Sequence, residues 1–413
     1  MESGEGGHEP SSDPGRAGEA AAGAHQPAYA DAAASWPALL GVFLKLGVVA
    51  FGGPVAHIAM MDKEVVERRG WVKRRHFLDL MAATNLLPGP NSTQMTMHIG
   101  YVQRGSLGVW AAGSAFILPA ATITLALTWA YVELRDVPAM DAVFYGIQPV
   151  VLAIIATAMV KLAPKAADDW ATRGVFVAAL ALGLAAVNEL VVLGLGAAAG
   201  AILFGWQPWR RPGPTASAGL LAPAVPWLAD LPDPQPTSDL VGQLAWLFFK
   251  FGVTLFGSGY LLVAYLQTDL VDRHGLLTTS QLIEALVIGE MTPGPLFTVS
   301  TAVGYILGGA PGAVVATVAI FFPSFFLAML LGRFMPAIKR SSTASAVLRG
   351  LTAAVLGVML AVAIEIGLRV VVDAPTAVLA AAALAALIWT RASAIALIPA
   401  GALAGYLWVT FGA

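Results

Sequence analysis

The chain has 413 residues, 58% hydrophobic and 12% charged, with a net charge of −2 and a mean hydropathy of +0.75. A soluble domain carries roughly a quarter charged residues, so this composition describes a polytopic membrane protein whose apolar stretches suit helices crossing a core of about 30 Å, not the short alternating strands of a barrel. The absence of cysteine excludes disulfides, thiolate metal sites and thiol redox chemistry, and there is no nucleic-acid signature, no metal-ligand spacing and no P-loop for ATP drive.

Residues 1–36 are mostly Gly, Ala, Ser, Pro and acidic residues without the basic start and apolar core of a signal peptide, and they read as a disordered tail. The first half, 37–206, carries apolar segments near 38–61, 77–103, 107–132, 141–163 and 175–204. Asn188-Glu189 at the centre of the last stretch predicts a hairpin of two short helices. Residues 207–239 hold a run of prolines from Pro208 to Pro236 and form an extended linker. The second half, 240–413, has apolar segments near 240–266, 281–308, 311–332, 345–371, 375–390 and 394–412. Each half thus supplies about five or six membrane elements.

The halves are copies. Lys45, Gly47, Phe51 and Gly52 ahead of Pro88-Gly89-Pro90 recur as Lys250, Gly252, Phe256 and Gly257 ahead of Pro293-Gly294-Pro295. The offset holds through Arg68/Arg273, Gly70/Gly275 and Thr93/Thr298, slips by one, and continues through Gly100-Tyr101/Gly304-Tyr305, Gly105/Gly309, Gly108/Gly312 and Pro119/Pro323. Apolar repeats of this size are the internal symmetry of a membrane transporter. Residues 62–76 contain Lys63, Arg68, Arg69, Lys73, Arg74 and Arg75, whereas 267–280 contain Arg273 beside Asp269 and Asp272. By the positive-inside rule these matching loops lie on opposite sides. The expected fold is therefore an all-α polytopic membrane protein with two homologous halves in an inverted repeat. Each half contains a Pro-Gly-Pro-broken helix that can enter and leave on one face.

Pro-Gly-Pro stops a helix because the prolines lack donors and clash with the preceding turn. In a bilayer such a break survives where protein or a polar cavity surrounds it. Asn91, Ser92 and Thr93 follow the first break and Thr298 the second, so hydroxyls sit at new helix starts, where free N–H groups favour an anion. The alternative is a plain kink. Lys45 and Lys250 lie within apolar runs, where a cation costs about 2.5 to 3.5 kcal/mol. They are either counter-charges to an anion or snorkelling side chains. The glycine turns at Gly52-Gly53 and Gly257-Ser258 follow them. Glu290, whose repeat mate is Asn85, can load and release a proton or pair with a lysine such as Lys250. His57 is a second proton candidate, or a structural hydrogen-bonder.

With two copies of the K-x-G-x-x-x-F-G phrase, each followed by a charged loop, Pro-Gly-Pro and Gly-Tyr, the chain resembles the chromate ion transporter family, in its long fused form. The resemblance covers nearly everything after residue 36. It implies a secondary transporter of a bacterial cytoplasmic membrane that exports chromate and confers chromate resistance, with sulfate the related tetrahedral dianion. It implies no cofactor and no enzyme activity; the partners are the oxyanion and the lipid bilayer, with a homodimer left open. It puts functional weight on Lys45, Gly52, Gly53, Pro88, Gly89, Pro90 and their second-half equivalents, although Ser258-Gly259 depart from Gly53-Pro54. Transport then proceeds by rocking of one half against the other. The competing readings are a passive anion channel, a carrier of another oxyanion such as sulfate, and a membrane-embedded enzyme acting on lipid phosphate, for which no nucleophile and base pair is evident.

Overall fold

The computed structural model describes residues 34–51, 53–84, 87–135, 137, 139–205, 240–255, 261–338, 342–390 and 392–412. The tail up to residue 33 and the 207–239 linker lie outside the described residues. Every element among the described residues is helical.

The first half opens with α1 (Trp36–Val49), started by Pro37 in its first turn and stopped at Ala50, whose backbone is extended. Its 14 residues span ~21 Å, short of a bilayer core of about 30 Å. After the break, α2 (Gly53–Met61) runs on as a π-helix, Asp62–Arg68, and α3 (Arg74–Thr84) leads to the Pro-Gly-Pro turn. The stretch Asn91–Leu134 is two helices, because Arg104 and Gly105 leave helical geometry and Gly105 has φ 62°. Gly100 and Gly108 pack back to back there, so that a methyl on either would strike the other's carbonyl. A continuous helix would hold them ~12 Å apart. The chain therefore reverses between α4 (91–103) and α5 (106–134). The half closes with α6 (Ala139–Ala166), α7 (Trp170–Leu184) and α8 (Glu189–Gly205).

The second half repeats the order. It comprises α9 (Leu240–Thr254), α10 (Leu261–Tyr265) with its π-helix Leu266–Arg273, and α11 (Thr279–Met291). A 3-10 turn, Leu296–Thr298, leads into Val299–Ile338. This stretch reverses at Gly308-Gly309 into α12 (299–307) and α13 (310–338), pinned by the 2.7 Å contact between the Thr301 and Thr317 hydroxyls. Then follow α14 (Ser342–Val370), α15 (Ala374–Trp389) and α16 (Ala394–Phe411). The same N-terminal device starts α7 and α15: Asp169 with Thr172, and Asp373 with Thr376, form reciprocal capping boxes.

Two features correct the hydropathy reading. Much of the expected loops 62–76 and 267–280 is π-helix, continuous with the preceding helix. Val65, Leu266 and Leu270 turn inward there while most of the charges face out, and that amphipathic pattern sustains helix where a hydropathy window sees only charge. The runs 38–61 and 240–266 are also not single helices, since α1 and α9 stop short and α2 and α10 begin anew.

The helices form two layers. In one, α1 packs on the α4–α5 hairpin and α9 on the α12–α13 hairpin, and the two hairpins pack on each other. In the other, α14 is clasped by α7 and α8 of the opposite half, and α6 by α15 and α16. The clasp is made by small residues. Gly350 of α14 lies against Gly196 and Gly200 of α8, and Gly146 of α6 against Gly401 and Gly405 of α16. These are paired G-x-x-x-G contacts, which let helix backbones touch where lipid supplies no hydrophobic drive. Arg349 donates to the Asp169 carboxylate at 2.7 Å, and its repeat mate Tyr145 donates to Asp373 at 2.6 Å. These contacts from one half to the other come in reciprocal pairs, as a twofold relation requires.

The outer surface is apolar, with Leu107 70% and Trp389 83% exposed, and the stretches Asn91–Leu134, Ala139–Pro164, Leu296–Leu330 and Ala346–Val370 are long and apolar enough to cross a membrane. The chain is a multi-pass membrane protein. Gly350→Val should cost about 1–3 kcal/mol by overpacking the clasp, whereas Gly174→Ala, with nothing within 4 Å of the added methyl, should be neutral or stabilise by about 0.5–1 kcal/mol. Thermal unfolding in detergent, read by size-exclusion chromatography, checks both.

Candidate functional site

The two Pro-Gly-Pro turns meet the two helix breaks across the molecule. Gly89 N–H donates to the Leu255 carbonyl at 2.5 Å, and Gly294 N–H donates to the Ala50 carbonyl at 2.8 Å. Ala50 and Leu255 are the residues at which α1 and α9 end, so their carbonyls have no following helical turn to accept from. Each half thus caps the broken helix of the other. The glycines are required, since Gly89 has φ 115° and Gly294 φ 99°, a region side chains rarely adopt.

Around the first turn the surroundings are polar. Pro88, Gly89 and Pro90 are buried, and α4 begins at Asn91 with Ser92, Thr93 and Gln94 buried behind it. His57, 1% exposed, lies between the Ala50 carbonyl, 3.0 Å from Nε2, and Ser92 Oγ, 3.3 Å from Nδ1. A carbonyl only accepts, so in the neutral ring Nε2 carries the proton and Nδ1 accepts from Ser92. Gln94 Nε2 donates to the Pro88 carbonyl at 2.5 Å. A methyl on Gly89 would sit 2.6 Å from Ser324 Oγ, which comes from α13, and 2.7 Å from Gln94 Nε2.

The second turn is its apolar counterpart. The positions matching His57, Asn91, Ser92, Gln94 and Ser324 are Leu262, Leu296, Phe297, Val299 and Ala120. Gly294 rests on the Ala120 methyl, and the Thr298 hydroxyl is spent on the Pro295 carbonyl at 2.9 Å. Glu290 borders a cavity of about 10 Å³ walled by Val151, Ile155, Leu262, Leu286, Leu296 and Val299.

The two lysines differ. Lys45 is exposed on α1 and is among the cations whose charge reaches the Glu64 carboxylate, while Glu64 is bound by Arg68 at 3.1 Å and Arg69 at 3.2 Å. Lys250 is 2% exposed and pairs with Asp269 at 3.1 Å, and Asp269 also accepts from Arg273 at 2.7 Å. The expectation that Lys250 offers its charge to an anion is therefore corrected: its ammonium is engaged by Asp269, a carboxylate that it shares with Arg273. The alternative pairing with Glu290 is corrected too, because the partner is Asp269. A buried ammonium needs a carboxylate close by, and the π-helix carries one inward from what read as a loop. Gly53 opens α2, while Gly52, Gly257 and Ser258 lie outside the described residues. Gln94, Ser324 and Asp269 were missed. Asp269 was within reach, since Lys45, Glu64 and Arg68 match Lys250, Asp269 and Arg273 at one offset.

The chromate transporter family model matches residues 37–201 and again 242–406. The chain belongs to the chromate transporter family. It is 32% identical to the chromate transport protein of Cupriavidus metallidurans over 368 residues, 87% of this chain and 90% of that protein. It is 32% identical to the probable chromate transport protein of Synechococcus elongatus over 81% of this chain and 85% of that protein. With the chromate transport protein of Pseudomonas aeruginosa it shares 33% identity over 80% of this chain and 81% of that protein. No solved structure matches it. This places the chain among transporters, not enzymes.

Asp269→Asn strips the buried Lys250 of its carboxylate and should cost about 3–5 kcal/mol. The equivalent Glu64→Gln, whose cationic neighbours are solvent-exposed, should cost less than about 1 kcal/mol. Thermal unfolding of the two purified variants makes the comparison.

Proposed function

We propose that this transporter exports chromate across the cytoplasmic membrane of a bacterium, driven by the membrane potential, and so confers chromate resistance. The observation that carries this reading is the reciprocal capping of the broken helices by the two Pro-Gly-Pro turns. It sets two helix starts, with their free N–H groups and positive dipole ends, at the meeting of two repeats, as a carrier binding an anion between its repeats requires. The names of the relatives support chromate as the cargo, with sulfate sharing its shape and charge.

The unequal charge of the matching segments 62–76 and 267–280 supports halves inverted in the bilayer. Lys250 acts from the ion pair, holding α9 to the π-helix beyond the break, and Lys45 is the remaining candidate cation. His57, bonded to both the break and α4, and Glu290, facing the small cavity, are the groups for a counter-moving proton. Because α6 and α14 are each clasped by helices of the other half, the layer holding the turns moves against the clasped layer more readily than one half against the other.

The potential suffices as a driving force. At about 2.3 kcal/mol per charge per 100 mV, a dianion leaving a negative interior gains roughly 4.6 kcal/mol. Inverted vesicles with a potential positive inside should accumulate labelled chromate saturably, in proportion to the potential and in competition with sulfate. Flux that does not saturate identifies a channel, and sealed vesicles that accumulate no chromate refute the proposal.

A further inference from the structure

The two turns are related by the repeat yet differ in chemistry, and the difference locates the anion. At the first turn Thr93, Gln94 and Ser324 are all 0% exposed. The Thr93 and Ser324 hydroxyls have no hydrogen-bond partner, whereas the unpartnered Gln94 oxygen only accepts, so Gln94 can serve an anion only through Nε2, which gives one hydrogen to the Pro88 carbonyl. A buried polar group without a partner costs free energy and calls for an explanation, such as a ligand. Two such donors occur at the first turn. One comes from α4 and one from the opposite half, and Ser324 and the Gln94 amide nitrogen flank the same face of Gly89.

At the second turn the equivalent places hold Thr298, Val299 and Ala120. The Thr298 hydroxyl is already bonded to Pro295, and the nearby Glu290 side chain brings a carboxyl to the neighbouring cavity. Neither feature serves a dianion. The first turn offers hydroxyl and amide donors together with the first backbone N–H groups of α4, which by helix geometry lack intrahelical acceptors.

Building on the carrier reading above, we infer that a tetrahedral dianion binds at the first turn alone, in a composite site of Thr93, Gln94 and the α4 N-terminus from one half and Ser324 from the other. The second turn is its structural counterpart and caps α1 without binding cargo. Because Ser324 lies on α13, movement of α13 away from Gly89 dismantles the site, which couples release of the anion to the relative position of the two hairpins.

The test uses full-length protein: wild type, Ser324→Ala and Gln94→Leu. Each is reconstituted for chromate transport, and each is assayed in detergent for labelled chromate bound per chain and for Tm. The wild type should bind one chromate per chain. Ser324→Ala should raise KM about tenfold, the loss of one hydrogen bond to a charged group, with Tm unchanged or higher because an orphaned hydroxyl has been removed. Gln94→Leu should raise KM likewise but lower Tm, because it also removes the bond to the Pro88 carbonyl, and if it does not fold Ser324→Ala decides alone. In a wild type that transports chromate, two equivalent bound anions per chain overturn the single site. So does an unmoved KM in Ser324→Ala, with or without a fall in Tm, and either leaves the carrier reading in place. A wild type with no saturable transport overturns the carrier reading, and the inference with it.

Discussion

A helix that ends away from water leaves carbonyls in need of another donor, and this protein ends two helices at buried residues, Ala50 and Leu255. Its solution is exchange: the Ala50 carbonyl takes the Gly294 N–H, and the Leu255 carbonyl takes the Gly89 N–H. Much else follows from that trade. The turns must be Pro-Gly-Pro, because proline stops the helix and only glycine takes the backbone angle that aims its N–H across the molecule. Each half supplies the other's break with a backbone donor, to which His57 adds a second at Ala50 from within the first half. The repeats are therefore interdependent at the centre, and the polar groups of the first turn are held where hydrocarbon cannot reach them.

The layer of α6, α14 and the helices that clasp them solves a second problem with different means. Here the helices are complete and need only to stay together, and close backbone contact does this through Gly146 with Gly401 and Gly405, and Gly350 with Gly196 and Gly200. Caps at Asp169 and Asp373 add cross-half bonds from Arg349 and Tyr145. One layer is thus joined by hydrogen bonds exchanged between broken helices together with the packing of one hairpin on the other, and the second by close packing of whole helices.

Much of the architecture was legible in the sequence because a duplication writes it twice. The offset between Lys45 and Lys250 pairs the turns, and after a slip of one residue it pairs Gly105 with Gly309 and Pro119 with Pro323. Hydropathy found the helix segments but misjudged charged ones, since a π-helix with one inward face looks like a loop to a window average. What stayed hidden was tertiary. Nothing in the sequence sets Ser324 beside Gly89, because the two lie in different halves and meet only through the crossing of hairpins. Likewise, the same lysine in each repeat is exposed in one copy and buried against Asp269 in the other, a difference created by neighbours.

The unlike chemistry of the two turns bears on why such a protein would evolve as one chain. Two identical subunits can make only a symmetric pair, so a serine at the position of Ser324 would also appear at that of Ala120, and a histidine at that of His57 would also replace Leu262. Fusion after gene duplication frees each copy to drift separately. It also guarantees that every molecule contains one of each, a division of labour that separate genes achieve only through matched expression and selective pairing.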